Sequence, residues 1–247
     1  MVDAPRVNFI VAGVQKGGTT ALFDYLSEEP GLALSHDKEV HFFDDDARDW
    51  DHPDYAPYHA RFPAPDGRLR GEATPIYLYW PGALERIFAY NLVIKLIVLL
   101  RDPIERAWSH WRMEYARGAE SQPFAWCIRQ GRQRLFDAEP WGVHREFSYV
   151  ERGYYAEQID AALAIFPRRH LLVLRAEDLA ADPSRTLAQI RRFLDLPPGA
   201  APRPRRVHEG AAMDYGAGLQ TDDIDHLRAI YAADQARLKP LVGFDYL

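Results

Sequence analysis

Apolar and polar positions fall in blocks along the chain. Residues 7–14 form a short apolar run that ends in glycine-rich sequence, the pattern of a buried strand. Residues 19–28 follow with Leu22, Tyr25 and Leu26 on one helical side, and Pro30-Gly31 stops the helix. Residues 35–67 are polar, aromatic and rich in Pro and Asp, which predicts loop with one short helix. A short strand is predicted at 68–73 and a helix at 83–90. Residues 93–100 are a nearly continuous Val/Ile/Leu run, as expected of a strand covered on both faces.

Asp102-Pro103 opens the next helix, with Asp as N-cap and Pro at the first helical position, and it runs to about Arg117. Further helices are predicted at 124–136 and 150–166, the second closed by Pro167, and a strand at 170–174. Asp182-Pro183-Ser184 starts a helix that ends near Leu194. Residues 197–220 read as irregular and 222–238 as a final helix. Strands that alternate with helices imply an α/β fold, a central mostly parallel, doubly wound sheet flanked by helices. With no repeat or linker in view, the expectation is a single domain over residues 1–247.

Composition narrows the function classes. With 47% hydrophobic residues the chain can build a core without disulfide staples. Cys127 stands alone, which excludes an internal disulfide framework and suits a reducing compartment. Residues 1–6 carry Asp3 and Arg6, and the apolar stretch after them is broken by Gln15 and Lys16, so no secretory signal is read. The most apolar window, 92–100, contains Lys95 and is too short to span a bilayer. These features together predict a cytoplasmic protein without stable membrane insertion. A net charge of −6 argues against a broad nucleic-acid surface. It leaves room for a small anionic ligand held by a few focused cations. The histidines and the cysteine show no metal-ligand spacing, so no metal is expected.

Two segments carry anion chemistry. Gly13-Val-Gln15-Lys16-Gly17-Gly18-Thr19-Thr20 lies between a predicted strand and a predicted helix. Glycines let backbone amides approach an anion, and the helix N-terminus adds its dipole. Gly13 and Gly18 have the spacing of a nucleotide-triphosphate loop, GxxxxGK[ST], but Thr19 stands where that loop has lysine. The lysine is Lys16, inside the loop, where it can face the bond between a terminal phosphate and its leaving group. The bland alternative is a glycine-rich turn that binds nothing. Arg101, at the carboxyl end of the central strand, and Ser109, two turns into the next helix, offer a guanidinium fork and a hydroxyl suited to a phosphate monoester. The competing role for Arg101 is an ion pair with Asp102 or Glu105.

A third segment, Ser35-His-Asp-Lys-Glu39-Val-His41-Phe-Phe-Asp44, crowds ionisable groups beside aromatics. Extended backbone would put Glu39 and His41 on one side and Val40 on the other, a carboxylate and an imidazole facing one cavity. Trp50, Tyr58, Tyr77, Tyr79, Trp80 and Trp141 are candidates for an acceptor cleft, most of them more simply explained as core. Lys95 marks a strand position near an edge or a cleft, and Arg106, His110 and Trp111 read as structural.

Together these segments resemble the sulfotransferases that use 3′-phosphoadenosine-5′-phosphosulfate (PAPS). The likeness is nearest to the heparan sulfate branch, especially the 3-O-sulfotransferases. It rests on Val14-Gln-Lys-Gly-Gly-Thr-Thr-Ala-Leu22, Lys38-Glu-Val-His-Phe-Phe-Asp44, Leu99-Leu-Arg-Asp-Pro-Ile-Glu-Arg106 and Glu151-Arg-Gly-Tyr-Tyr-Ala156. The resemblance implies a P-loop-kinase-like sulfotransferase fold and a sulfuryl transfer from PAPS, leaving adenosine 3′,5′-bisphosphate (PAP), to a hydroxyl or amine of a small-molecule or saccharide acceptor. It implies that Lys16 contacts the bridging oxygen and that Gln15, Gly17, Gly18, Thr19 and Thr20 hold the 5′-phosphate. Arg101 and Ser109 would take the 3′-phosphate, Tyr154 would shape the nucleotide pocket, and Glu39 would be the base with His41 beside it. The chain departs from the branch near its end. It lacks the cysteine-bracketed hairpin and the Lys-Gly-Arg-type loop, and offers Arg203-Pro-Arg205-Arg206 in their stead. The rival functions are a nucleotide kinase, which would need a lysine directly before the loop threonine, and a non-catalytic nucleotide-binding module.

Overall fold

The computed structural model describes residues 6–130, 133–137, 144–202, 215 and 218–247. Two compact units emerge: Met1–Leu100 with Ala161–His208, and Arg101–Asp160 with Glu209–Leu247.

The first unit holds the sheet. Its strands are β1 (Phe9–Gly13), β2 (Leu32–Leu34), β3 (Leu69–Ala73), β4 (Lys95–Leu100) and β5 (Leu171–Arg175). They lie in the order β2-β3-β1-β4-β5, and every neighbouring pair is parallel. The expected "mostly parallel" sheet is therefore parallel throughout. Every residue of β1 is buried, and in β4 only Lys95 is not, as the unbroken apolar runs require. On one face, Phe9, Val11, Ala73, Ile97, Leu99 and Leu174 pack under α1 (Thr19–Ser27), α8 (Ala176–Ala181) and α9 (Pro183–Phe193). Arg70 and Glu72 alternate with these on β3 and project to the other face. There Tyr58, from the short helix α2 (Ala56–His59), and Tyr90, from α3 (Ala83–Tyr90), join Phe42, Phe43 and Tyr77 in an aromatic cluster.

Tyr58, Tyr77 and Trp80 are thus core residues, at 0%, 0% and 5% exposure. Lys95 is not at an edge, because β4 has a partner on each side. It starts that strand beside a cavity of about 500 Å³ at the amino end of the sheet, bonded to the Phe193 carbonyl at 2.6 Å and to Asp195 at 2.5 Å.

The second unit is helical. It contains α4 (Pro103–Ala116), α5 (Phe124–Arg129), α6 (Gln133–Phe136), the first residues of α7 (Tyr155–Ile165) and α10 (Thr221–Val242). Asp102 caps α4 as expected, accepting from the amides of Ile104 and Glu105 at 2.9 and 3.0 Å. Asp182 does the same for α9 in the first unit. Ile104, Ala107, Trp111, Phe124, Tyr149, Leu227 and Tyr231 form the core of the second unit. Arg106 is structural, but its partner is the Tyr149 carbonyl and not a neighbouring carboxylate. The helix expected over 124–136 is two pieces, α5 and α6, and the one over 150–166 is a 3-10 turn at Glu151–Gly153 followed by α7.

Candidate active site

In a parallel sheet all the carboxyl ends face one way. The order β2-β3-β1-β4-β5 reverses direction at β1, so the switch point lies between β1 and β4. Loop 13–20 leaves β1 at that point. The Val14 amide donates to the Leu99 carbonyl of β4 at 3.1 Å, and the Gly17 amide to the Val14 carbonyl at 2.9 Å. A Cβ on Gly17 would lie 2.5 Å from the Leu99 carbonyl oxygen, so only glycine fits. Gly18, the N-cap of α1, has φ of +88°, and no side chain caps the helix. The first turn of α1 carries no acidic residue, so its amides face no competing negative charge. Lys16 and Gln15 are half-buried, Thr19 is buried and Thr20 is exposed. A phosphate group suits this cradle: close-set backbone, a helix N-terminus, two hydroxyls and one lysine.

The acid–base segment hangs from the neighbouring strand. The Glu39 amide donates to the Ala73 carbonyl at 2.9 Å, and Ala73 pairs with Val11 of β1. Loop 13–20 and Glu39 are therefore held at the carboxyl ends of the adjacent strands β1 and β3. His41 Nε2 stands 3.6 Å from Glu39 Oε2, and His41 Nδ1 is 2.9 Å from Asp44 Oδ2. Lys38 pairs with the other Glu39 oxygen. Glu39 and His41 keep exposed side chains, whereas Asp44 is completely buried. Asp44, the buried partner of His41, was not singled out from the sequence. Its spacing, three residues after His41 in a loop, carries no signal of burial.

Electrostatics follow from this string. The His41 side chain does most to hold the Glu39 carboxyl down, to about 2; burial opposes it and Lys38 adds to it. Asp44 and then Glu39 raise His41 to about 9 against its own burial. At neutral pH Glu39 is therefore a carboxylate and His41 an imidazolium. His41 then orients Glu39 and has no lone pair with which to act as a base.

The backbone marks the same residues. Among the described residues four non-glycines have positive φ, and three are Lys16 (65°), Glu39 (64°) and His41 (53°). Such conformations cost on the order of 1–3 kcal/mol each and concentrate at working sites. The extended Glu39-Val40-His41 expected from the sequence is thus corrected, since φ near +60° is a left-handed turn. The two side chains nonetheless meet, through the turn and not through strand alternation.

The pH dependence of this string is a direct check. His41 has its pKa raised, so its pairing stabilises the fold fully below pH 6.5 and is lost as pH rises through about 9. Glu39 has its pKa lowered, so its share is present above 4.5 and is lost as pH falls toward about 2. An NMR titration of the His41 ring should give a midpoint near 9 in the wild type and a clearly lower one in Asp44→Asn. An unchanged midpoint in that variant would remove Asp44 as the cause.

In the second unit, Arg101 directly follows β4. It contacts Glu105 at 3.4 Å, and its carbonyl accepts from the Tyr155 hydroxyl at 2.7 Å. Ser109 is half-buried on α4, about 9 Å along the axis from the first helical residue. Tyr154 follows the 3-10 turn and packs on Tyr231 at 5.5 Å between ring centres. Trp141, Arg203, Arg205 and Arg206 lie outside the described residues. Among the described residues no cluster of His, Cys, Asp and Glu could hold a metal ion, and no helix is long and apolar enough to cross a membrane.

An open parallel α/β sheet thus carries a glycine-rich loop suited to an anion at its switch point, with a paired carboxylate and imidazole held at the end of the adjoining strand. The sulfotransferase-domain profile matches residues 6–209, and the chain belongs to the sulfotransferase family of enzymes. The resemblance read from the motifs therefore holds. Human heparan sulfate glucosamine 3-O-sulfotransferase 3B1 is 32% identical over 188 residues, 76% of this chain and 45% of that protein. Mouse heparan sulfate glucosamine 3-O-sulfotransferase 6 is 34% identical over 189 residues, 76% of this chain and 52% of that protein. The chain spans about half the length of the curated relatives it matches. A solved sulfotransferase from Alicyclobacillus acidocaldarius has a TM-score of 0.82 at 26% identity over 98% of each chain. Mouse SULT7A1, solved in complex with PAP, shares the fold at a TM-score of 0.54 and 15% identity, over 94% of this chain and 86% of that one.

Proposed function

We propose that the chain transfers a sulfuryl group from PAPS to a hydroxyl or amine of a small-molecule or saccharide acceptor. The observation that carries this reading is the Glu39–His41–Asp44 string on the strand end beside loop 13–20. A nucleotide-binding module has no need of an oriented, exposed carboxylate there. A kinase would call for a lysine directly before Thr20, where Thr19 stands.

In the proposed reaction the acceptor oxygen or nitrogen attacks sulfur in line as the bond from sulfur to the 5′-phosphate oxygen breaks. The electron pair of that bond stays on the phosphate. Lys16 and the α1 amides stabilise the charge that grows there. Glu39 receives the acceptor proton. With a pKa of about 2 it is ionised and ready, though weakly basic. That weakness is tolerable when transfer is late, because an acceptor already bonding to sulfur has become strongly acidic. His41 holds Glu39 in place and is itself held by Asp44. Arg101 and Ser109 bind the 3′-phosphate, which competes with Glu105 for the guanidinium.

The donor is tested by thermal shift. PAP should raise the melting temperature without divalent metal, and AMP should do so much less. Arg101→Ala should weaken PAP binding by ~2–5 kcal/mol. Ser109→Ala should weaken it by the ~1.5–3 kcal/mol of one hydrogen bond to a charged group. Equal stabilisation by AMP and PAP would remove the 3′-phosphate site, and stabilisation by Mg-ATP alone would favour a kinase. A transfer screen with radiolabelled PAPS over saccharides and small alcohols then assigns the acceptor.

A further inference from the structure

We infer that Glu72 is a positioning residue, which aims the Glu39–His41 segment by fixing the direction in which buried hydroxyls donate. The inference rests on the reading that Glu39 and His41 do the acceptor-side chemistry. Glu72 lies on β3 and is completely buried. Three hydroxyls converge on its carboxylate: Thr74 Oγ1 at 2.5 Å, Tyr58 Oη at 2.8 Å and Tyr77 Oη at 3.3 Å. Above about pH 7, where Glu72 is ionised, its carboxylate only accepts hydrogen bonds, so each hydroxyl turns its proton inward. Its lone pairs then face outward, toward the loop.

Two of the three hydroxyls use those lone pairs. Thr74 Oγ1 accepts from the Val40 amide at 2.9 Å. Tyr77 Oη accepts from the Phe42 amide at 3.0 Å and from the Phe43 amide at 3.4 Å. With the bond from the Glu39 amide to the Ala73 carbonyl, the amides of residues 39, 40, 42 and 43 are all anchored to β3 and the turn after it. The anchored stretch is the one in which Glu39 and His41 take positive φ. A conformation that two non-glycine residues resist must be imposed from outside, and these bonds impose it.

The choice of a carboxylate is informative. Burial pushes Glu72 up to about 7, with the hydroxyl bonds opposing and Asp44 adding to the rise. The titratable groups that face it are Tyr58 from α2, Tyr77 from the turn after β3, and Asp44 from the loop. A glutamine would avoid that penalty. Its amide group donates, however, so the hydroxyl facing it can no longer give its proton to residue 72 and must turn that proton elsewhere, toward the side from which it accepts the loop amide. A residue needed only to fill space would not have to be an acceptor toward three hydroxyls at once.

The test is Glu72→Gln, read by NMR titration of the His41 ring and by steady-state kinetics with PAPS and a simple alcohol. The His41 midpoint should fall from about 9 toward the ordinary 6.5, because a displaced loop separates His41 from its carboxylates. Turnover should drop about 10- to 100-fold, the usual effect of misplacing a reacting group, while the KM for PAPS and the thermal shift by PAP stay as in the wild type. Tyr77→Phe should act in the same direction, and the double variant should be no worse than the worse single one. If Glu72→Gln does not fold, Thr74→Val removes the acceptor for Val40 and should lower the His41 midpoint in the same way. A folded Glu72→Gln protein with an unchanged His41 midpoint overturns the inference. So does one with a lowered melting temperature and normal turnover, which would make Glu72 merely structural. Should Glu72→Gln move the His41 midpoint while Glu39→Gln keeps full turnover, the positioning role stands and the assignment of Glu39 as base falls.

Discussion

Glu39→Gln should turn over at least ~100-fold more slowly than the wild type on an alcohol of ordinary acidity, and yet bind PAP nearly as well. The substitution keeps the shape of the side chain and removes its capacity to take a proton. The Glu39 side chain is exposed and held between Lys38 and His41, so glutamine retains partners and the loop retains its course. Donor binding is assigned to loop 13–20, Arg101 and Ser109, whereas Glu39 is assigned to the acceptor proton. The expected signature is a loss confined to kcat. A second, independent sign is available in His41. Losing the Glu39 charge removes one of the two causes that raise it, so its midpoint should fall below about 9 but stay above 6.5 while Asp44 remains. Near wild-type turnover of Glu39→Gln would end its role as base. His41→Ala would then show whether the imidazole takes the proton in its neutral form, with activity rising as pH approaches 9.

Lys16→Ala should also lose about 10²–10³-fold in kcat, by a different route. Charge develops on the 5′-phosphate oxygen as its bond to sulfur stretches. A lysine in the loop meets more charge in the transition state than in the ground state, and only that difference accelerates the step. The lysine also touches the ground-state donor, so some affinity for PAPS should go with it. Arginine at position 16 is a useful companion. It keeps the charge but replaces a compact ammonium by a planar fork in a loop whose next residue admits not even a Cβ. Partial recovery by Lys16→Arg would place the effect in charge, and none would place it in geometry. A Lys16→Ala enzyme with normal kcat and a raised KM for PAPS would mean that the lysine binds donor and does not assist bond breaking.

Much of the fold was legible because its signals are local. The apolar run before loop 13–20 and the run ending at Leu100 can only be strands buried on both faces, and they are β1 and β4. Asp-Pro pairs at 102–103 and 182–183 announce helix starts, since the capping bonds span two or three residues. The anion loop was legible for the same reason: its glycines, lysine and threonines are contiguous, and a strand and a helix flank it. Other features left no such trace. β2 is three residues long, too short for a period, and exists because Leu32, Ala33 and Leu34 find Leu69, Arg70 and Gly71 beside them. α8 follows β5 with no break that punctuation would mark.

At the site, residue types were readable and their arrangement was not. The sequence alone named Lys16, Glu39 and His41, because chemistry restricts which side chains can neutralise a leaving phosphate or take a proton. It also proposed an extended Glu39-Val40-His41, which the positive φ of both outer residues replaces. That backbone is disfavoured locally, and the bonds that hold it come from Ala73, Thr74 and Tyr77, more than thirty residues away. Asp44 and Glu72 were invisible for the same reason. A carboxylate's role depends on what surrounds it, and Tyr58, Tyr77 and the loop amides reach Glu72 from separate elements only once the sheet has formed. Local pattern therefore determined the strands, the caps and the inventory of reactive groups. The tertiary structure decided their charge states and their aim, because burial and hydrogen bonding between distant segments are properties of the packed chain.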